Sequence, residues 1–163
     1  MLEGTLTKRA SRSSDFDARF AEGRERLLRI CAGLVGDLAE DVVQDTYLRG
    51  RQRFDQLRDP GLFDAWVSKI AVNLCMNAHR GRRREFRMPE SDFPTKVQRD
   101  PGLRELIEQL PPRDRALVVL HYGHGYRIDE IARMVGITAT SARSRLFRAR
   151  ARLAQQLRLA ENA

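Results

Sequence analysis

Between Arg127 and Arg158 the chain carries eight arginines against two acids, Asp129 and Glu130. A guanidinium presents donors in a rigid fork that fits guanine edges and phosphate oxygens, so such a run is chemistry for nucleic acid. Arg143, Arg145, Arg148 and Arg150 form its centre. A soluble basic helix is the bland alternative, but a solvated face ordinarily mixes signs, and no acid occurs from Arg133 to Ala160. A second cluster, Arg80, Arg82, Arg83, Arg84 and Arg87, follows two amides one turn apart, Asn73 and Asn77. Cations at a helix carboxyl end favour the dipole, yet five exceed what a cap requires, which points to phosphate. Amides beside a basic patch and aromatic residues can hydrogen-bond unstacked bases, although surface asparagine is usually just solvated. Thirty Lys plus Arg against 22 Asp plus Glu leave a net charge of +8, in keeping with a polyanionic partner.

Catalytic chemistry finds no support. His121 and His124 flank Tyr122 and Gly123, but no cysteine or carboxylate at ligand spacing completes a metal site. No phosphate-binding glycine motif, Ser-His-Asp set or paired carboxylates stand in a plausible frame. No enzyme activity, metal or cofactor is expected. Cys31 and Cys75 fall within apolar-periodic helices and read as buried thiols, with a disulfide or redox switch the minor alternative. No apolar run approaches the roughly 20 residues of a membrane span and no signal peptide is visible, so membrane insertion is not expected and a cytoplasmic protein is.

The elements that must position these residues are all helical. Ile128 to Val135 predicts a short helix, Gly136 a residue with φ > 0, and Thr138 the N-cap of a second helix running to about Leu157. Ala142, Leu146, Ala149 and Leu153 recur there at spacings of three and four, forming a buried stripe. The pair is a helix-turn-helix. Upstream, Phe16, Phe20, Leu27, Ile30 and Leu34 predict a helix over about Asp15 to Val35. Asp37 is the expected cap of a second helix to about Phe54, with Leu38, Val42, Tyr47 and Phe54 inward and Glu40, Asp41, Gln44, Asp45, Arg49 and Arg53 on a polar face. Asp59-Pro60 signals the start of a third, Leu62 to about Arg84, with Phe63, Trp66, Val67, Ile70 and Leu74 inward. Residues 88–102 hold three prolines and little apolar periodicity, which is linker composition. The expected fold class is therefore all-α: a disordered arm over 1–14, a small helical domain over 15–87, a flexible linker over 88–102, and a second small helical domain over 103–160 containing the helix-turn-helix.

Five strings in order carry a family resemblance: Asp41-Val-Val-Gln-Asp-Thr-Tyr47, Ala65-Trp-Val-Ser-Lys-Ile-Ala-Val-Asn73, the basic run behind it, Leu110-Pro-Pro-Arg-Asp-Arg115 and Ser144-Arg-Leu-Phe-Arg-Ala-Arg150. From about residue 16 to 157 the chain resembles bacterial extracytoplasmic-function sigma factors. The resemblance implies a promoter-specificity subunit that binds core RNA polymerase and promoter DNA, both duplex and single-stranded. By position, Asp41, Gln44, Asp45, Arg49 and Arg53 would grip the clamp helices of the polymerase's largest subunit. Asn73, with Asn77, Arg80, Arg82, Arg83 and Arg84 nearby, would capture a flipped base of the minus-10 element. Arg143, Ser144, Phe147 and Arg148, with Arg145 and Arg150 beside them, would read the minus-35 element. Trp66 is core in that pattern more often than a stacking platform. An anti-sigma factor covering both DNA faces and a monomeric free state are also expected.

The chain departs from the family at two places. Arg127 stands where Ser or Thr usually caps the first helix, so that start is expected to fray or to use Asp129. Thr140-Ser141-Ala142 replaces a common Gly-Thr-Val at the start of the reading helix. Two other functions remain open: a helix-turn-helix regulator acting without polymerase, against which Asn73 and the first basic run argue, and a decoy that sequesters an anti-sigma factor, against which the four arginines from Arg143 to Arg150 argue.

Overall fold

The computed structural model describes the backbone of residues 2–81 and 101–162 and the side chains of residues 11–78 and 102–162. Seven α-helices account for most of this, with no strand among the described residues. Helix α1 (Leu2–Val35) buries Phe16, Phe20, Leu27, Ile30 and Leu34, the stripe that its spacing predicts. It begins thirteen residues before Asp15, so the expected break between an arm and a domain is absent. Contacts distant in sequence hold the last of those turns. Arg51 donates to Ser13 Oγ at 3.0 Å, and Arg12 pairs with Asp55 at 3.2 Å while lying 5.9 Å over the Phe54 ring. Once α1 is nucleated by its apolar stripe, each further turn costs little.

Gly36, at φ 58°, closes α1, and a 3₁₀ turn Gly36–Leu38 leads into α2 (Ala39–Arg53). The expected cap Asp37 makes no capping bond, because that turn supplies the geometry instead. After a 3₁₀ turn at Phe54–Gln56, Asp59 accepts from the Gly61 N–H at 2.8 Å, and Pro60 opens a turn into α3 (Phe63–Gly81) as its sequence predicts. The three helices pack around Phe16, whose ring lies 5.4–5.7 Å from those of Phe20, Tyr47, Phe54 and Phe63. Trp66 is half-buried against Phe54 and Phe63 and belongs to this core. Gly50 is required beneath Phe16: a Cβ there would stand 2.9 Å from its Cζ. Cys31 of α1 and Cys75 of α3 are buried and free, and their thiols hydrogen-bond to each other. That bond, and then burial, push the Cys75 thiol well above its ordinary pKa.

The second half comprises α4 (Pro101–Glu108), α5 (Pro112–Val118), a π-helical turn at Val119–Gly123, α6 (Ile128–Val135) and α7 (Ala139–Glu161). Pro101 and Gly102, expected in the linker, already belong to α4, and residues 88–100 of that expectation lie outside the described residues. Gly136 has φ 72°, and the Ile137 N–H returns to the Ala132 carbonyl at 3.0 Å. Thr138 Oγ1 then accepts from the Ser141 N–H at 3.1 Å, capping α7 as expected. Helix α6 starts at Ile128 with Arg127, not Asp129, in the N-cap position. The Glu130 carboxylate reaches back to the Arg127 N–H at 2.8 Å, half of a capping box, while the Arg127 side chain pairs with Asp129 at 3.2 Å.

The halves dock through α6 on α3 and through α5 on α1 and α3. Tyr126, just before α6, receives a hydrogen bond from Arg26 of α1 at 3.1 Å and donates to the buried Ser68 of α3 at 3.2 Å. Arg115, only 5% exposed, donates to the Glu108 and Leu110 carbonyls at 2.6 and 3.0 Å and to the Leu34 carbonyl of α1 at 3.2 Å. Burial pushes its pKa down to about 10, against the pull of Glu108. No helix among the described residues is long and apolar enough to cross a membrane.

Candidate nucleic-acid interface

Helix α7 turns Ala142, Leu146, Ala149 and Leu153 into the core against α4, α5 and α6. At about 100° per residue, the face opposite that stripe is centred on Thr140, Ser144, Phe147 and Ala151. All four are exposed, and all four are uncharged. Arg143 and Arg150 flank this strip on one side and Arg148 on the other, each exposed. Arg148 Nε rests on the Ser144 carbonyl at 3.3 Å, one turn back on its own helix. Such a surface has what a major groove needs: a neutral centre that can meet base edges, with cations on both sides for phosphates.

Arg145 differs from its neighbours. Its guanidinium donates to Asp114 of α5 at 2.8 Å, with the two side chains only 34% and 21% exposed. It therefore braces α7 against α5 instead of facing outward with Arg143 and Arg148. The partner is invisible to a linear reading because it lies 31 residues away on another helix.

Helix α3 presents Lys69, Asn73 and Asn77 outward, with the half-buried Trp66 at the edge of the same face. Asn73 and Asn77 thus share one exposed surface, on the side away from the buried Ala71 and Cys75. The side chain of Arg80, and Arg82, Arg83, Arg84 and Arg87 entirely, lie outside the described residues.

On α2, Asp41, Gln44, Asp45, Arg49 and Arg53 are all exposed. Among them stands Leu48, 49% exposed, which the apolar pattern does not single out. Its signal was its spacing of four from both Gln44 and Gln52, which places an aliphatic side chain in the middle of a polar face. Gln44 also lines a groove of about 370 Å³ between α1 and α2, floored by Phe20 and Val43. There Tyr47 donates to Asp17 at 2.9 Å, a bond that raises the Tyr47 pKa.

His121 and His124 are both partly buried. His121 Nδ1 lies 2.9 Å from the Tyr126 carbonyl, within the turn that leads to α6. His124 is held down to about pKa 4, by burial first and then by Arg29 and Arg26 of α1, so it is neutral at pH 7. No group of three or more metal-ligating side chains is assembled among the described residues.

Residues 20–85 match the family model of sigma-70 region 2, and residues 102–153 match that of sigma-70 region 4. The chain is 30% identical over 150 residues to the ECF RNA polymerase sigma factor SigM of Mycobacterium tuberculosis, an alignment covering 87% of this chain and 76% of that one. It is likewise 30% identical over 152 residues to the RNA polymerase sigma-E factor of Streptomyces coelicolor, covering 88% and 86%. The fold is shared with the sigma factor RpoE of Bartonella quintana, solved in complex with the anti-sigma factor NepR, at a TM-score of 0.70 and 24% identity over 88% of this chain and 97% of that one. CnrH, solved with the cytosolic domain of CnrY, gives a TM-score of 0.66 at 23% identity over 93% and 95%. With a region 2 domain, a region 4 domain and relatives aligned along most of its length, the chain belongs to the extracytoplasmic-function sigma factors, which bind core RNA polymerase and direct promoter-specific initiation of transcription.

Proposed function

We propose a division of that task among three faces. The exposed face of α2, with Asp41, Gln44, Asp45, Arg49 and Arg53 around Leu48, grips core polymerase. The outward face of α3 takes up a flipped base of the minus-10 element through Asn73, with Asn77 and the basic residues Arg80, Arg82, Arg83 and Arg84 against the backbone. On α7, Arg143, Ser144, Phe147, Arg148 and Arg150 meet the minus-35 element as duplex, held at the right pitch by Arg145. The observation that carries this is the neutral, exposed strip of α7 between two arginine edges, on a different domain from the asparagine face of α3. Duplex is read through a groove and single strands are captured base by base, so two surfaces of different make suit two steps.

An anti-sigma factor that covers both DNA faces is the expected regulator, and the neighbour RpoE, crystallised with one, supports that partner class. Joint protection of α3 and α7 amides from hydrogen exchange when that partner is added would be its signature. For the division of labour, Arg148→Ala should weaken duplex minus-35 binding by about 1 to 3 kcal/mol if the arginine makes a bidentate base contact. Asn73→Ala should leave duplex binding intact and impair open-complex formation, read by permanganate reactivity of the melted strands. Equal loss of both steps in both variants contradicts the assignment.

A further inference from the structure

Cys31 of α1 and Cys75 of α3 belong to none of the faces assigned above. Both are 0% exposed, and their thiols hydrogen-bond to each other across the seam between the two helices. No metal-ligating group of three or more side chains forms among the described residues, so the two stand there as a dithiol. A disulfide brings its sulfurs to about 2 Å, which thiols already in contact reach by small rotations. Buried cysteines are ordinarily inert because oxidant does not reach them. The cover over this pair is therefore decisive, and much of it comes from the second half of the chain. Cys75 lies seven residues after Ser68, so at about 100° per residue the two side chains leave α3 within about 20° of each other. Ser68 is the residue of α3 that accepts from Tyr126 of the second half. Cys31 lies one turn before Leu34, whose carbonyl accepts from Arg115, and α5 rests on α1 and α3 together.

We propose that Cys31 and Cys75 are a reversible disulfide pair, closed by a hydroperoxide when the second half of the chain leaves the first. The shared hydrogen bond and then burial keep the proton on Cys75, which makes Cys31 the sulfur that attacks. The Cys31 sulfur takes one oxygen of the peroxide, the O–O bond breaks, and an alcohol or water leaves with the Cys31 proton. Cys31 is then a sulfenic acid. The Cys75 sulfur attacks it, the S–O bond breaks, and the hydroxyl leaves as water with the Cys75 proton. The two thiols give up two electrons and the peroxide receives them. A small thiol reverses the bond by exchange, with the same need for access. Docking thus sets the response: the docked protein shields the pair, and the extended protein is open to oxidation.

The test uses the full chain, treated with hydrogen peroxide and followed by mass spectrometry of non-reduced peptides. The double variant Ser68→Ala/Tyr126→Phe removes the hydroxyls that join the halves and leaves the cysteines in place; thermal unfolding checks that it folds. Its Cys31–Cys75 link should form roughly tenfold faster than in the wild type, because lost interface hydrogen bonds raise the share of open molecules. Dithiothreitol should restore both thiols. In a Cys75→Ser variant on the same background the reaction should stop at a sulfenic acid on Cys31, trapped by dimedone, while Cys31→Ser should give little adduct at Cys75. Equal rates of linkage in the wild type and the double variant would overturn gating by docking. Peroxide that yields only disulfide-linked dimers, or oxidised cysteines without a link between Cys31 and Cys75, would overturn the pair itself. Neither result touches the sigma-factor assignment, which rests on other residues.

Discussion

Arg145 shows how a single side chain changes role once its partner is known. In sequence it is one of four similar arginines; in the structure its bond to Asp114 ties α7 to α5. Asp114→Asn and Arg145→Ala should each cost about 0.5 to 1 kcal/mol in thermal unfolding, as expected for a half-exposed pair, and each should weaken minus-35 binding by loosening the pitch of α7. The exchanged pair Asp114→Arg/Arg145→Asp should recover much of that binding. If Arg145 acted by touching DNA, placing a carboxylate there would deepen the loss instead. Local signals were legible at this scale: Thr138 caps as its type and place predict, and Gly136 takes the left-handed turn. Pairings across helices were not, because nothing in the spacing of Asp114 and Arg145 marks them as neighbours.

At the scale of the element, the bounds of α6 fall where the sequence put them, since a φ > 0 glycine and a following N-cap are both short-range devices. The start of α1 did not. Ser, Thr and basic residues before Asp15 look like an arm until Arg12 and Ser13 are seen to bond residues of α2 and the turn behind it. Gly50 illustrates the same gap. In an exposed helix, Gly→Ala ordinarily gains up to about 1 kcal/mol. Here the added Cβ meets Phe16 Cζ at 2.9 Å and Cε2 at 3.1 Å, in the middle of the aromatic cluster. Gly50→Ala should therefore destabilise the protein by about 1 to 3 kcal/mol through overpacking, measured by urea unfolding. A stabilised variant would contradict the close approach of α1 and α2. Thr138→Ala, by contrast, should cost about 1 kcal/mol through the lost cap alone.

For the molecule as a whole, the docking of the two halves was the part least legible in the sequence. Arg26, Ser68, Tyr126 and Arg115 lie up to about a hundred residues apart, and their joining depends on how α6 meets α3. The docked form is also too small for its task. A folded chain of this length has a radius of gyration of about 15 Å, whereas elements 25 base pairs apart lie about 85 Å apart along the duplex at 3.4 Å per pair. Energy transfer between dyes at Arg58 and Leu159 should therefore be high in the free protein and fall when core polymerase and promoter are added; unchanged transfer in an active complex would contradict domain separation. His124 gives docking a pH dependence. Its ordinary pKa of about 6.5 is lowered to about 4 between Arg26, Arg29 and the buried turn, so the released imidazole binds a proton that the docked one refuses. Stability should be full above pH 6.5 and decline as pH falls toward 4, and His124→Gln should flatten that decline in unfolding curves. The central claim is tested most directly by transcription in vitro from a library of randomised promoters, with core RNA polymerase alone and with this protein added. Initiation only with the protein, from a shared motif with two separated parts, is the predicted result; a chain that binds duplex DNA but never core polymerase, or binds core and starts no transcript, would contradict it.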